Sequence, residues 1–152
     1  MGIEKDIHQS TFKSVRQKAM INVLFSYGWI LEKIKNMLAQ EDITHQQFNI
    51  LRILRGSFPT PLSTLQIRER MLDKMSDTSR IVDRLVAKGL VQKVTCAKDR
   101  RLVDVTITDK GQELLRKLDT EAGQMDLNIM GNLTEEEAEA LSNLLDKLRR
   151  PE

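Results

Sequence analysis

The hydrophobic period of this chain changes once and then changes back, and that interruption limits what the chain can fold into. Before Gly89, apolar residues recur every three or four positions, as on one face of a helix. After Gly89 the period falls to two. Leu90-Val91-Gln92-Lys93-Val94-Thr95 reads as a strand, and Ala97-Lys98-Asp99-Arg100 has turn composition. Leu102-Val103-Asp104-Val105-Thr106-Ile107 reads as a second strand, with Val103, Val105 and Ile107 on one face. At Thr108-Asp109 the helical spacing resumes. The prediction is a mainly α chain interrupted by one β-hairpin with a charged tip. Its 152 residues suit a single domain over 1–152 with a core of its own.

The helices can be placed by their caps and stripes. A first long segment runs from about Thr11 to Ala39 without Pro, and Val23, Tyr27, Ile30, Ile34 and Met37 lie along one face. Phe12, Val15, Met20, Leu24 and Leu31 widen that stripe beyond what a small core can cover, so a second chain is expected against it. Thr44 and Gln47 form a capping box for a second helix, with Phe48, Leu51 and Leu54 inward and Gly56 as its stop. Ser57-Phe58-Pro59-Thr60-Pro61 is a loop. Ser63 and Gln66 repeat the box, Leu62 and Ile67 have staple spacing, and this short helix ends near Met71 or Leu72. Asp73 or Ser76 is expected to cap a fourth helix reaching about Lys88, with Ile81, Val82 and Leu85 inward. A long helix follows the hairpin to about Met130, and Gly131-Asn132 breaks it. Thr134-Glu135-Glu136-Glu137 caps a last helix carrying Leu141, Leu144, Leu145 and Leu148. Two short helices joined by a tight turn and followed by a hairpin describe a winged helix-turn-helix between long terminal helices.

Net charge sharpens this reading. The whole chain carries only +2. Residues 68–101, however, hold 10 Lys+Arg against 5 Asp+Glu, whereas residues 102–152 hold 6 against 12. A basic middle and an acidic end point to a polyanionic partner for the middle. Double-stranded DNA is the expected one. The fourth helix and its approach carry Lys74, Ser76, Thr78, Ser79, Arg80 and Arg84. Small hydroxyls allow close approach and bind phosphate, and Arg pairs bidentately with guanine. Ser63, at the start of the preceding helix, joins that set. Lys98, Arg100 and Arg101 at the hairpin tip suit a phosphate backbone or a narrow minor groove. Asp99 is placed to brace Arg101.

Catalysis finds little support. The two histidines, His8 and His45, stand far apart, and neither a phosphate loop nor a nucleophile elbow is present. No cofactor and no metal are expected. The one cysteine, Cys96, rules out an internal disulfide and reads as a strand thiol; nearby Lys93, Lys98 and Arg100 are what a redox thiolate would need. The polar start Met1-Gly2-Ile3-Glu4-Lys5-Asp6 lacks the apolar core of a signal peptide, and no apolar run approaches the length of a membrane span. The expectation is a cytoplasmic protein without a membrane partner.

The run Ser79-Arg80-Ile81-Val82-Asp83-Arg84-Leu85, then Lys88-Gly89-Leu90-Val91, Asp99-Arg100-Arg101 and Ile107-Thr108-Asp109-Lys110-Gly111, resembles the MarR family of bacterial transcription regulators. The resemblance implies a homodimer that binds pseudo-palindromic DNA, usually as a repressor. It implies dimerisation helices over about 8–40 and 109–150 around a winged helix-turn-helix over about 44–108. Ser79, Arg80 and Arg84 fall on the family's recognition-helix contacts, Arg101 on its wing arginine and Asp99 on the acid that orients it. It further implies release of DNA by a small anionic or aromatic effector, for which Tyr27, Trp29, His45 and Phe48 are the candidate lining. The reactive cysteine of the peroxide-sensing branch and the ligand cluster of the zinc-sensing branch are both missing from their places. The alternative is a winged-helix module that docks proteins and does not bind DNA. Hydroxyls and Arg on the fourth helix weigh against that alternative.

Overall fold

The computed structural model describes residues 2–150, so Met1, Pro151 and Glu152 of the expected 1–152 span lie outside the described residues. The chain divides into two compact units, one ending at His45 and the other beginning at Gln46.

The first unit opens with α1 (Ile3–Asp6), a single turn that the periodicity did not reveal. Its Glu4 carboxylate accepts from the Lys18 ammonium, which ties it to α2 (Val15–Leu38). Ser14 caps α2, its hydroxyl accepting from the Gln17 amide at 3.1 Å. The predicted stripe is buried only toward its C-terminal end: Ile30, Ile34 and Met37 are half-buried, while Val23 and Tyr27 are exposed. A 3-10 turn over Ala39–Glu41 and a left-handed Asp42 (φ 51°) end this unit's helical run.

The second unit holds most of the core. Helix α3 (His45–Ser57) buries Phe48, Ile50, Leu51 and Leu54 and runs straight through Gly56, the predicted stop. Leu62–Ser63, expected as the start of a helix, is a two-residue strand, β1; α4 (Thr64–Arg70) begins directly after it. The capping box stands as predicted: the Ser63 hydroxyl accepts from the Gln66 amide at 3.1 Å, and Gln66 Oε1 accepts from the Ser63 amide at 2.9 Å. Leu62 and Ile67, the staple pair, are both buried.

Helix α5 (Thr78–Ala87) is capped by Asp77, whose carboxylate accepts from the Arg80 amide at 3.2 Å; neither Asp73 nor Ser76 does this. Asp73 is engaged one step earlier, accepting from the Met75 amide at 3.0 Å inside the turn. The start at Thr78 also sets which side faces inward. The buried positions are Thr78, Val82 and Leu85, spaced four and three apart, and the predicted Ile81 is half-buried.

The hairpin is β2 (Val91–Thr95) with β3 (Val103–Ile107), in the register Val91 opposite Ile107 and Thr95 opposite Val103. β1 adds to the other edge of β3, so the sheet has three antiparallel strands in the order β1-β3-β2 rather than two. Val105 and Ile107 are buried, but Val103 on the same face is exposed, because the hairpin there extends past the core as a wing. Thr108 caps α6 (Asp109–Met130), which buries Gly111, Leu115 and Leu118. Thr134 and Glu137 form the predicted box at the start of α7 (Glu135–Arg149), which has no buried residue. No helix among the described residues is long and apolar enough to cross a membrane.

Candidate nucleic-acid interface

The turn between α4 and α5 is held from several sides. Asn49 Oδ1 accepts from the Leu72 amide at 2.9 Å, and the Lys74 ammonium donates to the Arg68 and Glu69 carbonyls. Lys74 is thus occupied closing α4, and the Ser63 hydroxyl is occupied capping it. The Ser76 and Thr78 hydroxyls are buried and have no hydrogen-bond partner in the structure. Thr78 is only 4% exposed, so of the expected contact set it points into the core instead of outward. Its place on the helix, four residues before Val82, overrides its polarity.

The outward face of α5 presents Ser79, Arg80 and Arg84. Arg80 Nε lies 3.8 Å from Asp77 Oδ2, a loose pairing between two solvent-exposed groups that leaves the guanidinium available. The acid next to Arg84, Asp83, is taken by Lys93 of β2 at 2.7 Å. Arg84 therefore has no side-chain partner among the described residues. The helix N-terminus adds its own partial positive charge on the side of Ser79 and Arg80.

The C-terminal end of α5 is fixed by a closed set of bonds. Gly89 is left-handed (φ 72°), a conformation that favours glycine; the Gly89 amide bonds to the Val86 carbonyl at 2.9 Å and the Leu90 amide to the Leu85 carbonyl at 3.0 Å. The Thr108 hydroxyl donates to the Gly89 carbonyl at 2.7 Å, and the Lys110 ammonium donates to the Lys88 carbonyl at 2.9 Å. The first turn of α6 thereby locks the end of α5 beside the root of the wing. Sequence reasoning missed this lock, whose partners are backbone carbonyls 19 and 22 positions away, and also the Asp77 cap and the Lys93–Asp83 pair.

At the wing tip the Asp99 carboxylate receives Arg101 twice, from Nε and from Nη2, each at 3.1 Å, and accepts the Arg101 amide at 3.0 Å. The Arg101 side chain is 89% exposed while paired with Asp99. Hydrogen bonds from the Arg101 side chain, then from its amide, pull the Asp99 carboxyl below its ordinary 3.8. Lys98 and Arg100 are exposed beside it, and Cys96 is half-buried at the base of the turn.

The candidate effector residues are spread over α2 and the start of α3. Tyr27 and Trp29 are two positions apart on α2, so their side chains leave the helix on different sides, and both are exposed. Lys33 lies over the Trp29 ring at 5.6 Å. His45 is half-buried at the start of α3, and Phe48 is buried with Arg52 over its ring at 5.5 Å.

Comparison with known proteins converges on one family. The MarR family model matches residues 41–102, the stretch from the end of the first unit through the wing tip. A crystal structure of a MarR transcription factor from Planctomyces limnophilus shares 31% identity, covering 90% of this chain and 98% of that one, with a TM-score of 0.67. The chain belongs to the MarR family. MarR-family proteins are DNA-binding transcription regulators, and the family model takes in α3 to β2 and the wing tip, ending just before β3. Two further MarR-like structures share the fold at 22% identity. Mutant MarR from E. coli complexed with operator DNA covers 99% of this chain and 100% of its own, with a TM-score of 0.77. BpsR from Bordetella bronchiseptica, whose DNA binding is regulated by 6-hydroxynicotinic acid, covers 94% and 100%, with a TM-score of 0.80.

Proposed function

We propose that this MarR-family protein represses transcription by binding an inverted-repeat operator as a homodimer, with α5 in the major groove and the β2–β3 wing on the adjoining backbone. The observation that carries the reading is the Asp99–Arg101 pair. An exposed ion pair adds little stability, so its value lies in presenting the paired Arg101 side chain 89% open to solvent. The free face of Ser79, Arg80 and Arg84 on α5 is the matching set for base edges and phosphate.

A homodimer is supported by apolar surface left open. In α2, Met20, Leu24 and Tyr27 are more than half exposed, and so are Leu127, Leu144 and Leu148 of α6 and α7. Patches of this kind mark a protein interface. Two recognition helices about 34 Å apart then require an operator with two half-sites one helical turn apart. The basic excess falls within residues 68–101, which hold α5 and the wing tip, whereas residues 102–152 carry the acidic excess. Release by a small anionic or aromatic effector follows the pattern of BpsR and 6-hydroxynicotinic acid.

The test is a binding titration by fluorescence anisotropy with an operator enriched from random duplex and with a scrambled duplex. Arg101→Ala is expected to weaken both alike. Arg80→Ala is expected to reduce the preference for operator by about 1–3 kcal/mol, the worth of one bidentate base contact. If both variants bind both duplexes as the parent does, this assignment of the interface fails.

A further inference from the structure

Beside the N-terminal end of α5 lies a groove of about 440 Å³, lined by Thr64, Leu65 and Arg68 of α4 and by Met75, Ser76 and Ser79 among others. Two apolar side chains, Leu65 and Met75, stand exposed in this otherwise polar lining. Met75 is 93% exposed and Leu65 is 64% exposed. The chain had an apolar alternative and used it, because Met71, four positions earlier, is buried at 2%. Met75 is held outward by the turn itself. Its amide donates to Asp73 Oδ1 at 3.0 Å, and the following Ser76 amide donates to the Asp73 carbonyl at 3.3 Å. The Leu72 amide and the Lys74 ammonium are tied back as described above, so the backbone cannot turn this side chain inward without losing those bonds.

Arg68 and Ser79 line the groove together with Leu65 and Met75, and Arg80 lies one residue beyond Ser79. Apolar atoms set among phosphate- and base-directed groups, at the N-terminal end of a recognition helix, match one feature of duplex DNA. In the major groove each thymine presents a C5-methyl, the only large apolar group among the base edges, and side-chain apolar contact with it is a known mode of sequence readout. We infer that Met75 and Leu65 read a thymine methyl, so that each half-site carries a thymine beside the base faced by Arg80. The inference rests on the DNA-binding reading above and assigns that surface a base preference which Arg contacts alone do not give. It makes Met75 and Leu65 specificity-determining residues.

The experiment begins with the full-length protein and selection from random duplex. On the enriched operator, each thymine is replaced in turn by deoxyuridine, which removes one methyl and leaves pairing unchanged. Burial of a methyl predicts about a fourfold loss at the thymine read by Met75 and none at uncontacted thymines. The same series is run with Met75→Ala, a change at a 93% exposed site that leaves the core untouched. Met75→Ala is expected to bind the thymine operator more weakly than the parent and to show a smaller deoxyuridine effect, the remainder being the Leu65 contact. An operator that tolerates deoxyuridine at every position overturns the inference and leaves DNA binding intact. So does an equal methyl effect in parent and Met75→Ala. If no motif is enriched, both the inference and the function on which it rests are overturned.

Discussion

Gly111 and Gly123 lie in the same helix, α6, and alanine is expected to act on them with opposite sign. A Cβ at Gly111 would stand 2.3 Å from the Leu90 carbonyl oxygen and 2.7 Å from Ile107 Cγ1, where ordinary contact begins at 3.4 Å. The obstructing atom is backbone, so no rotamer change relieves it, and α6 must retreat by roughly 1 Å. Overpacking of this kind costs about 1–3 kcal/mol, and the close approach to a carbonyl places Gly111→Ala near the top of that range. Better helix propensity returns about 1 kcal/mol, leaving a net loss of about 2 kcal/mol. At Gly123 nothing lies within 4 Å, so Gly123→Ala keeps only the propensity gain, about 0.5–1 kcal/mol of stabilisation. Thermal unfolding by circular dichroism at matched protein concentration checks the pair. Gly111→Ala should lower Tm by roughly 4–8 °C and Gly123→Ala should raise it by a few degrees. The retreat would also stretch the Thr108 and Lys110 bonds that hold the end of α5, so DNA affinity should fall in the first variant only. A Gly111→Ala protein as stable as the parent would refute the packing argument at Leu90.

Other expectations are more local. Thr78→Val keeps the shape of a buried side chain and removes an unpartnered hydroxyl, so it should stabilise the protein by about 1 kcal/mol in urea unfolding and leave DNA affinity unchanged. Because the folded Asp99 carboxyl lies below 3.8, the pairing with Arg101 is complete above that pH and is lost only as pH falls through the depressed value. An NMR titration should therefore place Asp99 below 3.8 in the parent and higher in Arg101→Ala, though still below 3.8, because the residue 101 amide bond is kept. Leu24→Lys, at a 62% exposed position of α2, should shift the protein from dimer to monomer in sedimentation velocity without loss of helix content.

How far the sequence could be read depended on whether the deciding contact was local. The Asp99–Arg101 brace, the Ser63–Gln66 box and the Thr134–Glu137 box each join residues two or three apart, and all three were legible. The cap of α5 was not, because Asp73, Ser76 and Asp77 can all cap a helix. Asp77 takes that place while Asp73 holds the Met75 amide in the turn. β1 escaped notice because a two-residue strand has no period, and it exists only by pairing with Val105 and Asp104. Thr78 looked like a surface hydroxyl until the start of α5 placed it on the same face as Val82 and Leu85. The exposure of Met75 could not be read at all, since composition marks methionine as core material.

The central claim is that the exposed face of α5 and the wing form a DNA interface, and the salt dependence of binding tests it most directly. For the parent on its enriched operator, the logarithm of the association constant should fall linearly and steeply with the logarithm of salt concentration. Removing a phosphate-binding cation, Arg84→Ala or Arg101→Ala, should make that slope shallower by about one for each phosphate no longer neutralised. A parent slope near zero, or slopes unchanged in both variants, would contradict the account.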